Sequence, residues 1–275
     1  MSKQSVGLKR NTIDKYYTNP NTVNYCFDII KQNINIDYDK DLIIEPSAGD
    51  GAFINRIKLA SKNNLFIDLE PENSEIKQQD YLDLDISFKQ NYRKIHLVGN
   101  PPFGRQSSMA INFIKKSVEF CDSISFILPK SFKKDSLKSH FSLYFHLIIE
   151  TELPKNSFLV EGKEYDVPCI FQIWEKKTEP RVKKQKLEPI NFKFVNKSEP
   201  HDISFRRVGV YAGKIDTNTV DKSIQSHYFI KFTKKISREL LDTLININFD
   251  TDNTVGPKSI SKQELIEKYN PILED

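Results

Sequence analysis

The feature that most constrains the fold is an alternation of short apolar runs with amphipathic segments over residues 20–129. Five runs have the length of strands and stop at a Pro, a Gly or an acid, and they are 41–46, 65–71, 76–85, 94–98 and 123–129. Three segments carry apolar residues at helical spacing: 20–33, 47–61 and 109–121. Strands that alternate with helices predict an α/β layer with a mostly parallel sheet.

A basic segment at 176–189 is the predicted domain boundary, because it holds six basic residues and two acids without an apolar period. Two apolar runs just before it are expected to pair as a final antiparallel couple, and they are 144–154 and 166–176. Strand-like runs and two helices follow it, and Ser261 with Glu264 predicts a capping box. The predicted organisation is a main domain at 1–175, a linker at 176–189 and a small α+β domain at 190–275.

Charge is unevenly distributed along the 275 residues. The chain has 41 Lys and Arg against 37 Asp and Glu, a net charge of +4. Residues 1–175 carry −1, whereas residues 176–275 carry +5. A positive excess suits a polyanion such as nucleic acid, and an ordinary solvated surface is the alternative.

Cysteine and histidine placement argues against a disulfide framework and against a metal site. The three cysteines are scattered without a CxxC pair, and the five histidines lack metal-ligand spacing. No apolar run approaches the ~20 residues that span a bilayer. The opening residues MSKQSVGLKR have no apolar signal core, so the expected location is cytoplasmic and no membrane contact is expected.

The segment EPSAGDGAF, residues 45–53, lies between a predicted strand and a predicted helix. Its glycines predict a tight turn that lets the backbone approach a ligand. It lacks the full GxGxxG and GK[ST] patterns of dinucleotide and phosphate loops. Two acids inside it, Glu45 and Asp50, favour a ligand with a positively charged end.

Acids also follow the next two predicted strands. Asp68 and Glu70 end one strand, at a position where a carboxylate typically accepts hydrogen bonds from ribose hydroxyls. Asp80 and Tyr81 near the end of the next strand suit an adenine, because the acid accepts from its amine and the ring stacks on it. An adenosine with a cationic tail describes S-adenosylmethionine better than NAD or ATP, so this is the predicted cofactor.

The run VGNPPFG, residues 98–104, ends another strand in a stiff elbow, because proline fixes its own φ and restricts the residue before it. The Asn100 side-chain oxygen and the Pro101 carbonyl are candidate acceptors for the N–H groups of a nucleobase amine. Phe103 is a candidate to stack on the base and to stabilise the positive charge that develops on its nitrogen. Pro101 and Pro102 make the elbow rigid, so these groups are preorganised.

These motifs resemble those of the amino-group methyltransferases that use S-adenosylmethionine and carry a [DNS]-P-P-[FYW] motif, most of all the N6-adenine methyltransferases of nucleic acid. The resemblance covers about residues 10–175. It implies a Rossmann-like class I methyltransferase sheet and transfer of a methyl group to adenine in DNA or RNA. The motif order resembles the subgroup with a C-terminal recognition domain, and the basic C-terminal region agrees with this.

The resemblance also implies roles for individual residues. The motif DKYYTNP, residues 14–20, places Tyr17 and Thr18 near the methionine part of the cofactor. The glycine motif contributes Glu45, Ser47, Gly49 and Gly51 to the cofactor site, whereas Asp68 binds the ribose, and Asp80 with Tyr81 surrounds the adenine. The late motif at 157–175 supplies an aromatic residue that stacks on the flipped base, and Phe158 is the candidate, with a role in the core as its alternative.

Basic residues outside these motifs are candidates for phosphate contacts in nucleic acid, and they are Lys130, Lys133, Lys134, Arg206 and Arg207. Each of them is equally an ordinary solvated charge. Two alternative functions stay open. One is methylation of a protein glutamine amide, by a family that shares the N-P-P elbow but prefers Tyr at the position of Phe103. The other is a catalytically silent, nucleic-acid-binding subunit with the same fold.

Overall fold

The computed structural model describes residues 16–183, 185–249 and 258–274. Residues 14 and 15 of the motif DKYYTNP lie outside the described residues. The chain divides into two compact units, Met1–Val182 and Lys183–Asp275, and the division falls within residues 176–189.

The first unit is built on a sheet of seven strands, in the order β4-β3-β2-β5-β6-β10-β7. Its strands are β2 (Leu42–Glu45), β3 (Asn63–Asp68), β4 (Lys77–Gln78), β5 (Ile95–Gly99), β6 (Ser123–Pro129), β7 (Phe145–Glu152) and β10 (Cys169–Lys176). Neighbours from β4 to β6 pair in parallel, and β10 runs antiparallel to both β6 and β7. The predicted Rossmann-like α/β sheet with a final antiparallel pair is confirmed.

Both faces of this sheet are buried, which explains why its strands are continuous apolar runs. Along β2, Ile43 packs into one hydrophobic core, while Leu42 and Ile44 pack into the other. Three helices cover the faces: α1 (Pro20–Asn33), α2 (Ile54–Ala60) and α3 (Ser108–Ser117). Helix α1 begins as predicted, with Pro20 in its first turn and the Asn19 side chain accepting from the Asn21 N–H. A fourth, short helix, α4, covers Asp135–Lys138.

Two features depart from the sequence prediction. Only β4 forms within the predicted strand 76–85, because the Asp80 side chain accepts a hydrogen bond from Leu82 N and starts a 3-10 turn over Tyr81–Asp83. A separate antiparallel sheet of three short strands was not predicted, and it consists of β1 (Tyr17–Thr18), β8 (Phe158–Val160) and β9 (Lys163–Tyr165). This small sheet joins the amino-terminal motif to the late motif.

The second unit is an α+β fold, as predicted. Its antiparallel strands have the order β11-β14-β12-β13, and they are β11 (Phe192–Val195), β12 (Ile203–Arg206), β13 (Ile215–Asp216) and β14 (His227–Phe232). Helices α5 (Arg238–Ile245) and α6 (Lys262–Leu273) share a hydrophobic core with these strands. The predicted capping box between Ser261 and Glu264 at the start of α6 is confirmed. Across the described ranges, no helix has the length and apolar character to cross a membrane.

Candidate active site

A cavity of about 410 Å³ lies at the carboxyl ends of the parallel strands of the first unit. The chain leaves β2 on one side towards β3, whereas β5 pairs with β2 on the other side, so the strand order reverses between β2 and β5. Ligands bind at such a reversal point in open α/β sheets. The glycine turn after β2 and the proline elbow after β5 both line the cavity, so two segments that are 50 residues apart form one site.

The glycine turn brings Gly49 to the cavity wall. Gly49 has φ +54°, which favours glycine, and a Cβ there would lie 3.5 Å from the Tyr17 ring. Its N–H donates to Asp68 Oδ2 at 2.8 Å. Tyr17 also lines the cavity, and its hydroxyl donates to Glu72. The turn is thereby held between Tyr17 on one side and Asp68 on the other.

Asp68 ends β3 and faces the cavity. Its Oδ2 accepts from Gly49 N and its Oδ1 accepts from Glu70 N, both at 2.8 Å. Each carboxylate oxygen has a second lone pair, so Asp68 keeps acceptor capacity for a ligand. Glu70, Glu72 and Asp80 also line the cavity, which makes this end of it strongly acidic. Such a wall favours ligands with hydroxyl donors or positive charge.

Three of the predicted cofactor residues do not line the cavity. Thr18 is buried and pairs with Phe158 in the small sheet. Gly51, with φ +89°, packs so closely against Ile54 that a Cβ would lie 2.6 Å from its Cδ1, so its role is the turn itself. Glu45 is buried behind the wall and lies beside Gly99. Burial, and then the charges of Asp50 and Asp68, raise the pKa of Glu45 well above its usual value.

The predicted stacking of Tyr81 on a base also needs correction. Tyr81 lies at the cavity wall, but only 1% of its surface is exposed. Its hydroxyl bonds to Ser117 Oγ at 2.7 Å, and its ring packs 5.0 Å from the ring of Phe113. Tyr81 is therefore a core residue behind the cavity. Asp80, by contrast, lines the cavity as predicted, with Oδ1 engaged by Leu82 N.

The proline elbow is pinned by its surroundings. The Asn100 amide nitrogen donates to the Tyr16 carbonyl at 3.2 Å, and the hydroxyl of Ser47 donates to the Asn100 carbonyl at 3.1 Å. The Phe103 carbonyl accepts from the N–H groups of Met109 and Ala110 in the first turn of α3. These contacts orient Asn100 so that its Oδ1 is left buried, with no hydrogen-bond partner in the described parts of the chain. Asn100, Pro101, Pro102 and Phe103 all line the cavity.

Phe158 does not fill its predicted role. The ring is fully buried in the core that contains Phe27, so it offers no face to a base. Tyr16 lines the cavity on this side, and its ring meets the edge of Phe158 with a centroid distance of 6.2 Å. The partly exposed Tyr165 of β9 stacks on Tyr16 at 5.8 Å. Phe158 is the buried residue of β8, and it is covered by the core residues against which it packs.

The predicted phosphate contacts have partners within the chain. Lys130 and Lys133 both bind Glu152 Oε1, at 3.1 and 2.6 Å. Lys134 lies at the N-cap of α4. In the second unit, Arg206 Nε donates to the Val208 carbonyl, while Arg207 donates to the Gln225 carbonyl and lies over the Tyr228 ring. The two arginines are therefore already engaged in holding the turns of their own unit.

Several cavity residues escaped the sequence reasoning. Tyr16, Leu69, Gln79, Met109 and Phe113 line the cavity without belonging to a predicted site. Their only sequence signal is position, since Leu69 and Gln79 flank predicted acids and Met109 and Phe113 follow the elbow. Among the described residues, no group of three or more His, Cys, Asp or Glu side chains is placed so that it could bind a metal ion. All three cysteines are buried and free.

No family model and no curated protein matches this sequence. Among solved structures, similarity is found to a proposed RNA methyltransferase of Pyrococcus horikoshii, with 17% identity, a TM-score of 0.45 and coverage of 62% of this chain and 92% of the other. A proposed class I S-adenosylmethionine-dependent methyltransferase of Listeria monocytogenes has 12% identity and a TM-score of 0.44, and the match covers 64% of this chain and 66% of the other. An rRNA methylase of Streptococcus thermophilus has 13% identity and a TM-score of 0.36, and the match covers 60% of this chain and 99% of the other.

Proposed function

We propose that this protein is an S-adenosylmethionine-dependent methyltransferase that methylates the exocyclic N6 amine of adenine in DNA or RNA. The observation that carries the proposal is Asn100 Oδ1, a buried acceptor at the cavity with no partner among the described residues. An unsatisfied buried acceptor costs roughly 1–3 kcal/mol, and an amino group that enters the cavity offers the missing donor.

The acidic half of the cavity fits the cofactor. Asp68 has acceptor capacity for the ribose hydroxyls, and Gly49 leaves the space that a side chain would fill. The carboxylates of Glu70, Glu72 and Asp80 favour a ligand that carries positive charge. When bound, S-adenosylmethionine supplies an electrophilic methyl carbon attached to a positively charged sulfur.

The elbow prepares the amine for transfer. Asn100 Oδ1 and the Pro101 carbonyl accept its two N–H groups, which favours a tetrahedral nitrogen whose lone pair is less delocalised into the ring. S-adenosylmethionine held at Asp68 and Gly49 would supply the methyl group to this nitrogen, and the electron pair of the broken carbon–sulfur bond would remain with the cofactor's sulfur. The positive charge on nitrogen is stabilised by the π face of Phe103, and the extra proton leaves to water.

Charge outside the cavity supports a nucleic-acid substrate. Lys130 and Lys133 follow β6, which is the neighbour of β5, the strand that precedes Asn100. Residues 176–275 carry a net charge of +5. A target base in a duplex has to leave the stack to reach Asn100, and Lys130 and Lys133 are suited to hold the flanking phosphates. Tyr16 replaces Phe158 as the candidate aromatic contact for that base.

The test is transfer of labelled methyl groups from S-adenosylmethionine to separate pools of DNA, RNA and a Gln-containing protein extract, followed by identification of the methylated nucleoside. N6-methyladenine in one nucleic-acid pool is the expected product, and Asn100→Ala is the matched inactive control. Label on glutamine instead would favour the amide methyltransferase. Binding of the cofactor and of nucleic acid without transfer would favour the silent subunit.

A further inference from the structure

Gln79 is a cavity residue that the proposed chemistry leaves without a role. It follows β4, the edge strand of the sheet, and its main-chain N–H donates to the Asp68 carbonyl at 2.9 Å. Its main chain is therefore tied to the residue that we assign to the ribose. The next residue, Asp80, caps the 3-10 turn, so the position of Gln79 is fixed from both sides.

The side-chain oxygen of Gln79 has the same property as that of Asn100. Gln79 Oε1 is buried and has no hydrogen-bond partner within the described ranges. Gln79 lines the acidic end of the cavity, whereas Asn100 lines the elbow end. Because a buried acceptor without a donor is costly, each of the two oxygens points to a ligand group that carries N–H or O–H.

The sheet order indicates which part of the ligand reaches Gln79. The glycine turn follows β2, Asp68 ends β3 and Gln79 follows β4, so these three groups lie in sequence along one edge of the sheet. The reacting end of the cofactor has to face Asn100, beside β2. With the ribose at Asp68, the purine then extends outwards to β4. The apolar side chains of Leu69 and Phe113 line the cavity and are suited to the faces of a purine ring.

We infer that Gln79 Oε1 accepts a hydrogen bond from the exocyclic amine of the cofactor's adenine and makes the site select adenosine over inosine. The inference rests on the proposed function, since it assumes that S-adenosylmethionine occupies the cavity. It shares adenine recognition between Gln79 and Asp80. Asp80 Oδ1 accepts from Leu82 N, and the remaining lone pairs of this carboxylate leave it able to accept one N–H group of the amine while Gln79 accepts the other.

The test compares the affinities of S-adenosylhomocysteine and S-inosylhomocysteine for the full chain by calorimetry. Inosine presents a carbonyl oxygen where adenine presents an amine. The parent protein is expected to prefer the adenosine compound, and Gln79→Leu should weaken that compound about tenfold while it removes most of the preference. Gln79→Glu keeps an acceptor and lacks a donor, so it should retain adenosine binding and discriminate more strongly against inosine.

The control is Gln90→Leu, which makes the same change at an exposed site outside the cavity. It should leave both affinities at the parent values. An unchanged preference in a folded Gln79→Leu protein, or a loss of preference in Gln79→Glu, overturns the assignment to Gln79. If the parent binds neither compound, the cofactor proposal itself is wrong, and this outcome is distinct from the first.

Discussion

The side-chain amide of Asn100 donates to the main-chain carbonyl of Tyr16, a residue that precedes it by 84 positions, at 3.2 Å. This one bond fixes which end of the amide faces the cavity. The nitrogen is used by the protein, and the oxygen is left as a buried acceptor. The elbow is thus oriented before any substrate arrives, which is the kind of preorganisation that lowers a reaction barrier.

Replacing Asn100 by Ala is expected to separate chemistry from cofactor binding. The variant loses an acceptor that matters most as the target nitrogen becomes tetrahedral, so kcat should fall on the order of a hundredfold or more. The affinity for S-adenosylhomocysteine should stay at the parent value, because the proposed partner of Asn100 is the substrate amine and not the cofactor. Single-turnover methylation of an adenine-containing oligonucleotide, together with calorimetry, measures both quantities. Transfer at the parent rate would show that the elbow is only a turn.

Phe103 is expected to tolerate an aromatic replacement and no other. Phe103→Tyr keeps the π face and should retain much of the turnover, whereas Phe103→Ala loses stacking and stabilisation of the positive charge. Because Phe103 lines the cavity, its loss should destabilise the fold less than loss of the buried Phe171. Turnover and urea unfolding of both variants check this. Equal turnover of the Tyr and Ala variants would contradict the stacking role.

Asp68→Ala should weaken cofactor binding by about ten- to a hundredfold, since charge-assisted hydrogen bonds are worth roughly 1.5–3 kcal/mol. The effect has two sources: the lost ribose contact and the lost hydrogen bond that holds Gly49. Asp83→Ala, an equal charge change at an exposed nearby residue, is the control and should bind normally. Calorimetry with S-adenosylhomocysteine gives the comparison, and unchanged affinity in Asp68→Ala would remove the ribose assignment.

Glu152→Gln is expected to strengthen nucleic-acid binding. The change removes the carboxylate that Lys130 and Lys133 share, so both cations become available to phosphates. The log–log slope of affinity against salt should become steeper by about 1–2 units if each lysine gains one phosphate contact. Fluorescence anisotropy with a labelled oligonucleotide at several salt concentrations measures the slope. Glu161→Gln is a matched charge change at an exposed site, and an equal response there would show that only net charge matters.

Stability should fall on acidification because of a buried cluster at the amino ends of β2, β5 and β6. His96 bonds to Asp41 at 3.2 Å and to Ser123 at 2.7 Å, and Arg93 binds both Asp41 oxygens. Burial lowers the pKa of His96, although Asp41 partly opposes this. Burial alone would raise the pKa of Asp41, but hydrogen bonds from Arg93, the Asp37 N–H and His96 outweigh it and lower the pKa to about 2.

The sign is the same for both groups, because each binds protons more readily in the unfolded chain. The His96 contribution is present above its unfolded pKa of about 6.5 and declines as the pH falls below it. The Asp41 contribution is present above about 3.9 and is lost as the pH falls towards 2. Urea unfolding at pH 7.5, 5.5 and 3.5 should give successively lower free energies of unfolding. A flat profile from pH 7.5 to 5.5 would contradict the assignment to His96.

The sequence predicted the sheet, its antiparallel pair and the second unit because these depend on local periodicity. Asp68 and Asn100 were placed at the cavity because both follow parallel strands whose carboxyl ends share an edge. Phe158 and Tyr81 were misassigned because the sequence alone does not distinguish an aromatic residue of the core from one of a binding site. The distinction depends on which residues pack around the ring. Gln79 was missed because nothing in the sequence distinguishes it from an ordinary polar residue beside an acid. Its interest depends on the burial of its side-chain oxygen, which only the structure shows.

Helix α3 physically connects the elbow with the opposite wall of the cavity. Its first turn holds the elbow through the Phe103 carbonyl, and Phe113, one turn later, lines the same cavity and packs on Tyr81. If either ligand displaces helix α3, the residues that contact the other ligand move as well. Thermodynamic linkage makes such coupling reciprocal. If bound cofactor raises the affinity for substrate, bound substrate raises the affinity for cofactor by the same factor.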